Sequence, residues 1–74
     1  MGTKDYADAI VKYSLAIQLW PSCASYYGNR AAAYSFVGQD DFAIEDCFAA
    51  LRIDPGYSKA YGRLGLVKRI SFVP

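Results

Sequence analysis

The sequence predicts an all-α chain of four helices arranged as an antiparallel helix-turn-helix array, and three observations support that prediction. Small and apolar residues repeat at a spacing of 34 positions, apolar side chains within each segment recur every three or four positions, and proline or glycine stands where a helix would have to end. No segment shows the convincing alternation of a β-strand. The 74 residues are enough for a single domain, and 54% hydrophobic against 20% charged residues is typical of a folded chain.

An internal repeat underlies the first observation. When the sequence is displaced by 34 positions, several residues fall on residues of the same type. The matched pairs are Ala9 with Ala43, Ile10 with Ile44, Ala16 with Ala50, Pro21 with Pro55 and Tyr27 with Tyr61. A period of this length with small residues at fixed points is the signature of helix-turn-helix arrays.

The first helix is predicted over residues 4–20, because its apolar side chains fall at the spacing of one helical face. Pro21 ends this helix, since the residue before a proline avoids the helical conformation. The apolar face consists of Tyr6, Ala9, Ile10, Tyr13, Ala16, Ile17 and Trp20.

The second and third helices form the central hairpin of the predicted array. Ser22 is expected to cap the second helix with its hydroxyl, and Gly38 is expected to end it. Asp40 and Asp41 open the third helix, where negative charge meets the positive end of the helix dipole, and Pro55 stops it. The apolar faces are Ala24, Tyr27, Ala31 and Tyr34 in the second helix, and Ala43, Ile44, Cys47, Ala50 and Leu51 in the third.

The fourth helix is predicted over residues 57–70. Antiparallel helices that pack about 8–10 Å apart need small side chains where they touch. The sequence supplies Ala9, Ala16, Ala31, Ala43, Ala50 and Gly65 for these contacts. The single domain over 1–74 then divides into the second helix of one repeat at 4–20, a complete repeat at 22–55 and the first helix of a third at 57–70.

The composition argues against catalysis and against a metal or cofactor site. The chain has no histidine, which removes the commonest general base and the commonest metal ligand. Its two cysteines, Cys23 and Cys47, have neither zinc-site nor redox spacing and are expected as small apolar residues in a reducing, cytoplasmic setting. No glycine-rich phosphate-binding motif occurs and no apolar run is long enough for a membrane span. The formal net charge of +1 gives no general attraction to nucleic acid.

The small net charge conceals a strong segregation along the chain. Residues 38–55 carry a net charge of −4, from Arg52 against Asp40, Asp41, Glu45, Asp46 and Asp54, and residues 56–74 carry +4, from Lys59, Arg63, Lys68 and Arg69. One interpretation is that an acidic helix and a basic helix have solvated faces, and the other is that the basic segment binds an anion. Arg30 is predicted to pack against the acidic third helix.

The spacing of these residues resembles the tetratricopeptide repeat. With Ala24 as the first position, the large, small, aromatic and proline positions are filled by Tyr27, Ala31, Tyr34, Ala43, Cys47, Ala50 and Pro55, and only Cys47 departs from the family's pattern. The segments YYGNRAAAYS and YSKAYGRLGL are most similar to the small glutamine-rich tetratricopeptide co-chaperones. The resemblance implies a right-handed superhelical fragment whose concave face is lined by the first helix of each repeat.

The same resemblance implies a carboxylate clamp of the kind that binds the C-terminal tails of heat-shock chaperones of the Hsp70 and Hsp90 classes, ending Glu-Glu-Val-Asp. Asn29, Lys59 and Arg63 match three of the five clamp positions; the other two would precede Met1, so a partial clamp is expected. An asparagine gives a neutral donor, a lysine a point charge and an arginine a bidentate donor for a carboxylate. The groove is expected to be lined further by Ser25, Ala32, Phe36, Leu66 and Ile70.

Two functions therefore remain open at this point. One is a non-catalytic peptide-binding module of co-chaperone type. The other is a structural repeat segment that self-associates through exposed helix faces, giving a homo-oligomer by exchange of helices, without binding a tail.

Overall fold

The computed structural model describes residues 5–66, and of Arg63, Gly65 and Leu66 it describes the backbone alone. Over this range the chain consists of helices and short turns, so the prediction of an all-α helical array is confirmed. The helices are α1 (Tyr6–Leu19), α2 (Ala24–Phe36), α3 (Asp40–Ile53) and α4 (Ser58–Leu66). The expected continuation of the fourth helix to residue 70 lies outside the described residues.

The start of α1 follows the ordinary capping rule, whereas α2 and α3 begin without a side-chain cap. Asp5 caps α1, since its side chain accepts a hydrogen bond of 3.0 Å from the Asp8 backbone N–H. The expectation that Ser22 caps α2 is wrong, because Pro21 and Ser22 form a turn and Cys23 takes the cap position without a side-chain bond. The Cys23 N–H instead donates to the Trp20 carbonyl, 3.4 Å away.

The end of α2 depends on the glycine that was expected to stop it. Gly38 has a φ of +82°, a left-handed conformation that costs glycine little. Its N–H donates to the Ser35 carbonyl at 3.1 Å, and the following Gln39 N–H donates to the Tyr34 carbonyl at 2.9 Å. This pair of bonds is a Schellman motif, which satisfies carbonyls at the end of the helix.

The core sits where α2, α3 and α4 meet, and it consists mainly of alanine. α1 packs against α2, α2 against α3, and α4 against both α2 and α3. The fully or almost fully buried residues at these contacts are Ala31, Ala43, Cys47, Ala50 and Ala60. The expected close approach at small residues is seen at α2 and α3, whereas Ala9 and Ala16 are only half-buried because α1 lies against α2 alone among the described helices.

Arg30 joins α2 to the helices on both sides. Its Nε and Nη2 donate to the two carboxylate oxygens of Asp46 on α3 at 2.7 and 2.8 Å, and its Nη1 donates to the Ser14 hydroxyl on α1 at 2.8 Å. The guanidinium also lies 5.6 Å from the Tyr27 ring centre. The prediction that Arg30 packs against the acidic third helix is therefore correct.

The ion pair between Arg30 and Asp46 is largely removed from solvent, with side chains 19% and 7% exposed. Hydrogen bonding to the Asp46 carboxylate raises the pKa of the Arg30 guanidinium, which is the donor, while partial burial works in the opposite direction. Because the net direction is upward, the arginine keeps its charge at any pH at which a protein is normally handled. Three helices are thus held together by one permanently charged side chain.

Candidate functional site

One face of α2 lines a groove together with α1. The groove has a cavity of about 210 Å³ whose walls are formed by Tyr6, Ala9 and Tyr13 of α1 and by Asn29, Ala32, Ala33 and Phe36 of α2. Three of the residues expected on the concave face, Asn29, Ala32 and Phe36, therefore lie together. Lys59 is not among the residues that line this cavity.

The two ends of the α2 face differ in character. At the C-terminal end, Phe36 is 67% exposed, and its ring stacks on that of Tyr6 with centres 4.6 Å apart and planes inclined by 17°. At the N-terminal end, Ser25 is exposed in the first turn of the helix. A peptide along this face would meet an aromatic surface at one end and a polar one at the other.

Asn29 lies midway along this face and is half-buried. Its side-chain amide forms a hydrogen bond with none of the described residues, so its donor and acceptor atoms remain available. Its neighbour Arg30 points to the other side of α2, towards Asp46. Arg30 therefore stabilises the contact between α2 and α3, while its neighbour Asn29 faces the groove.

Lys59 is the second residue of α4 and is exposed. It forms an ion pair with none of the described residues, whereas Lys12 pairs with Asp8 at 3.1 Å and Arg30 pairs with Asp46. The charge of Lys59 is therefore not neutralised by an ion pair with the described residues of the acidic α3. Within the part of the chain that the structure describes, the Lys59 ammonium is thus left accessible to an external anion.

The remaining predicted site residues fall at the edge of the described structure. Arg63 stands four residues after Lys59 in α4, and Leu66 is the last residue of that helix, both with only their backbone described. Ile70 lies outside the described residues. The proposed roles of these three side chains remain predictions.

Two residues that the sequence analysis passed over form a close contact between α2 and the residue that precedes α4. Gly28 is buried in α2, and a Cβ atom built on it would lie 2.7 Å from both Cε2 and Oη of Tyr57. Tyr57 immediately precedes α4 and is partly buried against the core. A glycine inside a helical pattern with no capping role is a signal for close packing, and that signal could have identified Gly28.

Neither a metal site nor a membrane span is found in the described part of the chain. Residues 5–66 contain no group of three or more aspartate, glutamate or cysteine side chains positioned to hold an ion. None of the helices in this range has the length and apolar character needed to cross a bilayer.

Comparison with known proteins gives several close relatives, although no protein-family model matches the chain. The small glutamine-rich tetratricopeptide repeat-containing protein 2 of Mycosarcoma maydis is 52% identical over 65 residues, covering 88% of this chain and 18% of that protein. The protein of the same name in Saccharomyces cerevisiae is 48% identical over 68 residues, covering 92% of this chain and 20% of the relative. The heat-shock protein cognate co-chaperone sgt12 of Aspergillus fumigatus is 47% identical over 68 residues, with the same coverages. The chain thus spans about a fifth of the length of these relatives.

Proposed function

Since this chain belongs to the tetratricopeptide repeat family, we propose that it is a non-catalytic interaction module of co-chaperone type. It binds the acidic C-terminal tails of heat-shock chaperones through a partial carboxylate clamp made by Asn29, Lys59 and Arg63. The observation that carries this proposal is the exposed ammonium of Lys59, which pairs with none of the described residues, on a helix packed against α2; α2 presents the Asn29 amide, which is likewise without a hydrogen bond among residues 5–66. The name of the Aspergillus relative, a heat-shock protein cognate co-chaperone, agrees with this class of partner.

The chemistry of the three side chains suits a terminal carboxylate. Lys59 provides a point charge on a flexible side chain, and Asn29 provides a neutral hydrogen-bond donor. Arg63 provides a planar fork for bidentate binding. Two cations four residues apart on a helix repel each other, so a bound anion between them relieves a cost that the free protein carries. Charge-assisted hydrogen bonds of this kind are stronger than neutral ones.

A cytoplasmic location is part of this proposal, and the proposed partner and the state of one thiol support it. Cys23 carries a free thiol at the turn between α1 and α2. A free, partly exposed thiol fits a reducing compartment. We therefore place the protein in the cytoplasm, where heat-shock chaperones present their tails.

A peptide ending Glu-Glu-Val-Asp is expected to bind in a way that depends on its free C-terminal carboxylate. The same peptide with an amidated end is expected to bind at least about tenfold more weakly, because the loss of a charge-assisted hydrogen bond costs about 1.5–3 kcal/mol. Fluorescence anisotropy with both peptides at low and high salt measures the difference, and the affinity for the free acid should fall as salt rises. Equal affinity for the two peptides would contradict the clamp.

A second function, self-association, is favoured by the apolar surface of α1. The face of α1 that points away from α2 carries three large apolar side chains at a spacing of four residues, and Trp20 follows them. These residues, each more than half exposed, are Val11, Leu15, Leu19 and Trp20. We propose that this surface and the neighbouring groove are covered by α1 or α4 of a second copy at high concentration, through exchange of helices.

Sedimentation equilibrium over a hundredfold range of concentration tests the second function. The average mass of the wild-type chain is expected to rise with concentration, and its melting temperature should rise with it by mass action. The variant Leu15→Glu places a charge on the outward face of α1 and should keep the chain monomeric. A folded wild-type monomer at every concentration would exclude this function.

A further inference from the structure

Gly28 and Tyr57 make an unusually close contact between α2 and the start of α4. Added to Gly28, a Cβ atom would lie 2.7 Å from Cε2 and Oη and 3.1 Å from Cζ of Tyr57, closer than such atoms approach in proteins. The glycine is buried and stands in the middle of α2, where glycine weakens a helix. A Cβ atom at position 28 would therefore force either the Tyr57 ring or the two helices to shift.

The Tyr57 ring is attached to a well-defined turn and to the first turn of α4. The Tyr57 N–H donates to the Asp54 carbonyl at 2.9 Å, and its own carbonyl accepts from the Ala60 N–H at 3.1 Å. The Asp54 side chain accepts from the Gly56 N–H at 3.1 Å, which fixes the turn before the ring. The backbone that carries the ring is thus hydrogen-bonded on both sides, so a ring that is pushed aside must either turn about its side-chain bonds or displace the start of α4.

This contact is adjacent in sequence to two of the three residues of the proposed clamp. Asn29 directly follows Gly28 in α2, and Lys59 stands two residues after Tyr57 in α4. The two groups are on different helices, so their separation depends on how α4 is seated on α2. Hydrogen bonds weaken steeply once the donor and acceptor move out of range or alignment, so a small change in that seat is enough to lose one of them.

We infer that Gly28 and Tyr57 are positioning residues, which set the angle between α2 and α4 and thereby hold Lys59 in register with Asn29 for a terminal carboxylate. This inference rests on the proposed tail-binding function. It assigns a role in that function to two residues that do not themselves contact the tail. A purely structural role would lower stability without a selective effect on the interhelical angle or on the tail affinity.

The test compares Gly28→Ala with three matched variants. Tyr57→Phe keeps Cε2 and Cζ and loses the hydroxyl, which bonds to none of the described residues. Tyr57→Leu removes the ring. Gly38→Ala is the control at the far end of α2, where the backbone has a positive φ that disfavours alanine. A Cβ atom there would meet no neighbour. This variant should therefore destabilise the chain without changing the contact between α2 and α4.

Two quantities are measured for each variant: the affinity for the free-acid peptide, and the angle between α2 and α4 from residual dipolar couplings of the backbone amides without peptide. Gly28→Ala and Tyr57→Leu are expected to change the angle and to weaken binding by about tenfold, the equivalent of part of one charge-assisted hydrogen bond. Tyr57→Phe and Gly38→Ala are expected to keep the wild-type angle and to bind within about twofold of wild type, since the first keeps the ring carbons against Gly28 and the second lies away from that contact.

The outcomes separate this inference from the proposed function. If the wild-type chain prefers the free acid and Gly28→Ala binds it equally well, the positioning role is overturned while the clamp stands. A changed angle with unchanged affinity would overturn it as well, as would an equal loss of affinity in Gly38→Ala. Equal binding of free-acid and amidated peptides by the wild-type chain would overturn the proposed function, and with it the clamp that these residues position.

Discussion

Replacing Arg30 with methionine is expected to lower the free energy of unfolding by about 3–5 kcal/mol, because it leaves the carboxylate of Asp46 buried without its partner. A stability of roughly 0.05–0.15 kcal/mol per residue corresponds to about 4–11 kcal/mol for a chain of 74 residues. The variant would then stand close to global unfolding. Urea denaturation followed by circular dichroism measures the loss, and the melting temperature is expected to fall by at least about 12 °C.

Two further variants show whether the loss comes from the buried charge. Lys12→Met breaks an exposed ion pair, with side chains 73% and 51% exposed, and should cost at most about 0.5 kcal/mol. The double variant Arg30→Met with Asp46→Leu removes both charges and should recover most of the stability, as apolar replacement of a buried pair often does. If Arg30→Met proved as mild as Lys12→Met, the bridge between the three helices would have no structural importance.

Reversing the charge of Lys59 is expected to produce the largest loss of tail binding. Lys59→Glu removes a charge-assisted hydrogen bond and places a negative charge beside an anionic peptide, so the affinity should fall by at least about a hundredfold. The helix content and melting temperature should stay close to wild type, because Lys59 is exposed and interacts with none of the described side chains. Anisotropy titration and thermal unfolding of the same samples measure both effects.

Lys12→Glu is the matched control for this prediction. It makes the same change in net charge on the exposed surface of α1, outside the proposed clamp. If binding depended only on the overall charge of the chain, both variants would lose affinity equally. A Lys59→Glu variant that bound like Lys12→Glu would remove Lys59 from the site.

Periodicity was sufficient to predict the helices, because their signals are local. A stripe of apolar side chains and a stop at Gly38 depend on residues a few positions apart, and the 34-residue repeat can be read directly from the sequence. The cap of α2 was predicted wrongly because a serine that follows a proline can belong either to the turn or to the helix, and here Ser22 belongs to the turn. In the structure the Cys23 N–H donates to the Trp20 carbonyl across the turn, and α2 begins only after Cys23.

The candidate site was less accessible to sequence reasoning, because it depends on which helix faces meet. Arg30 was correctly assigned to the acidic α3, but four acidic residues occur between positions 40 and 46, and only the fold selects Asp46. The face bearing Asn29 was expected to adjoin Lys59, and the structure adds the side chains of α1 as a wall of the same groove. The contact of Gly28 with Tyr57 joins residues 29 positions apart, outside the reach of any helical period.

The alanine core described above also determines how conformational entropy is distributed when the chain folds. An alanine side chain has no rotamers to lose, so burying Ala31, Ala43, Ala50 and Ala60 costs no side-chain entropy. The rotamer restriction falls instead on the larger side chains around that core, such as Tyr34 and Tyr57. On folding, the residues at the centre of the molecule therefore lose mainly backbone entropy. The residues around them also lose the rotamer entropy of their aromatic side chains.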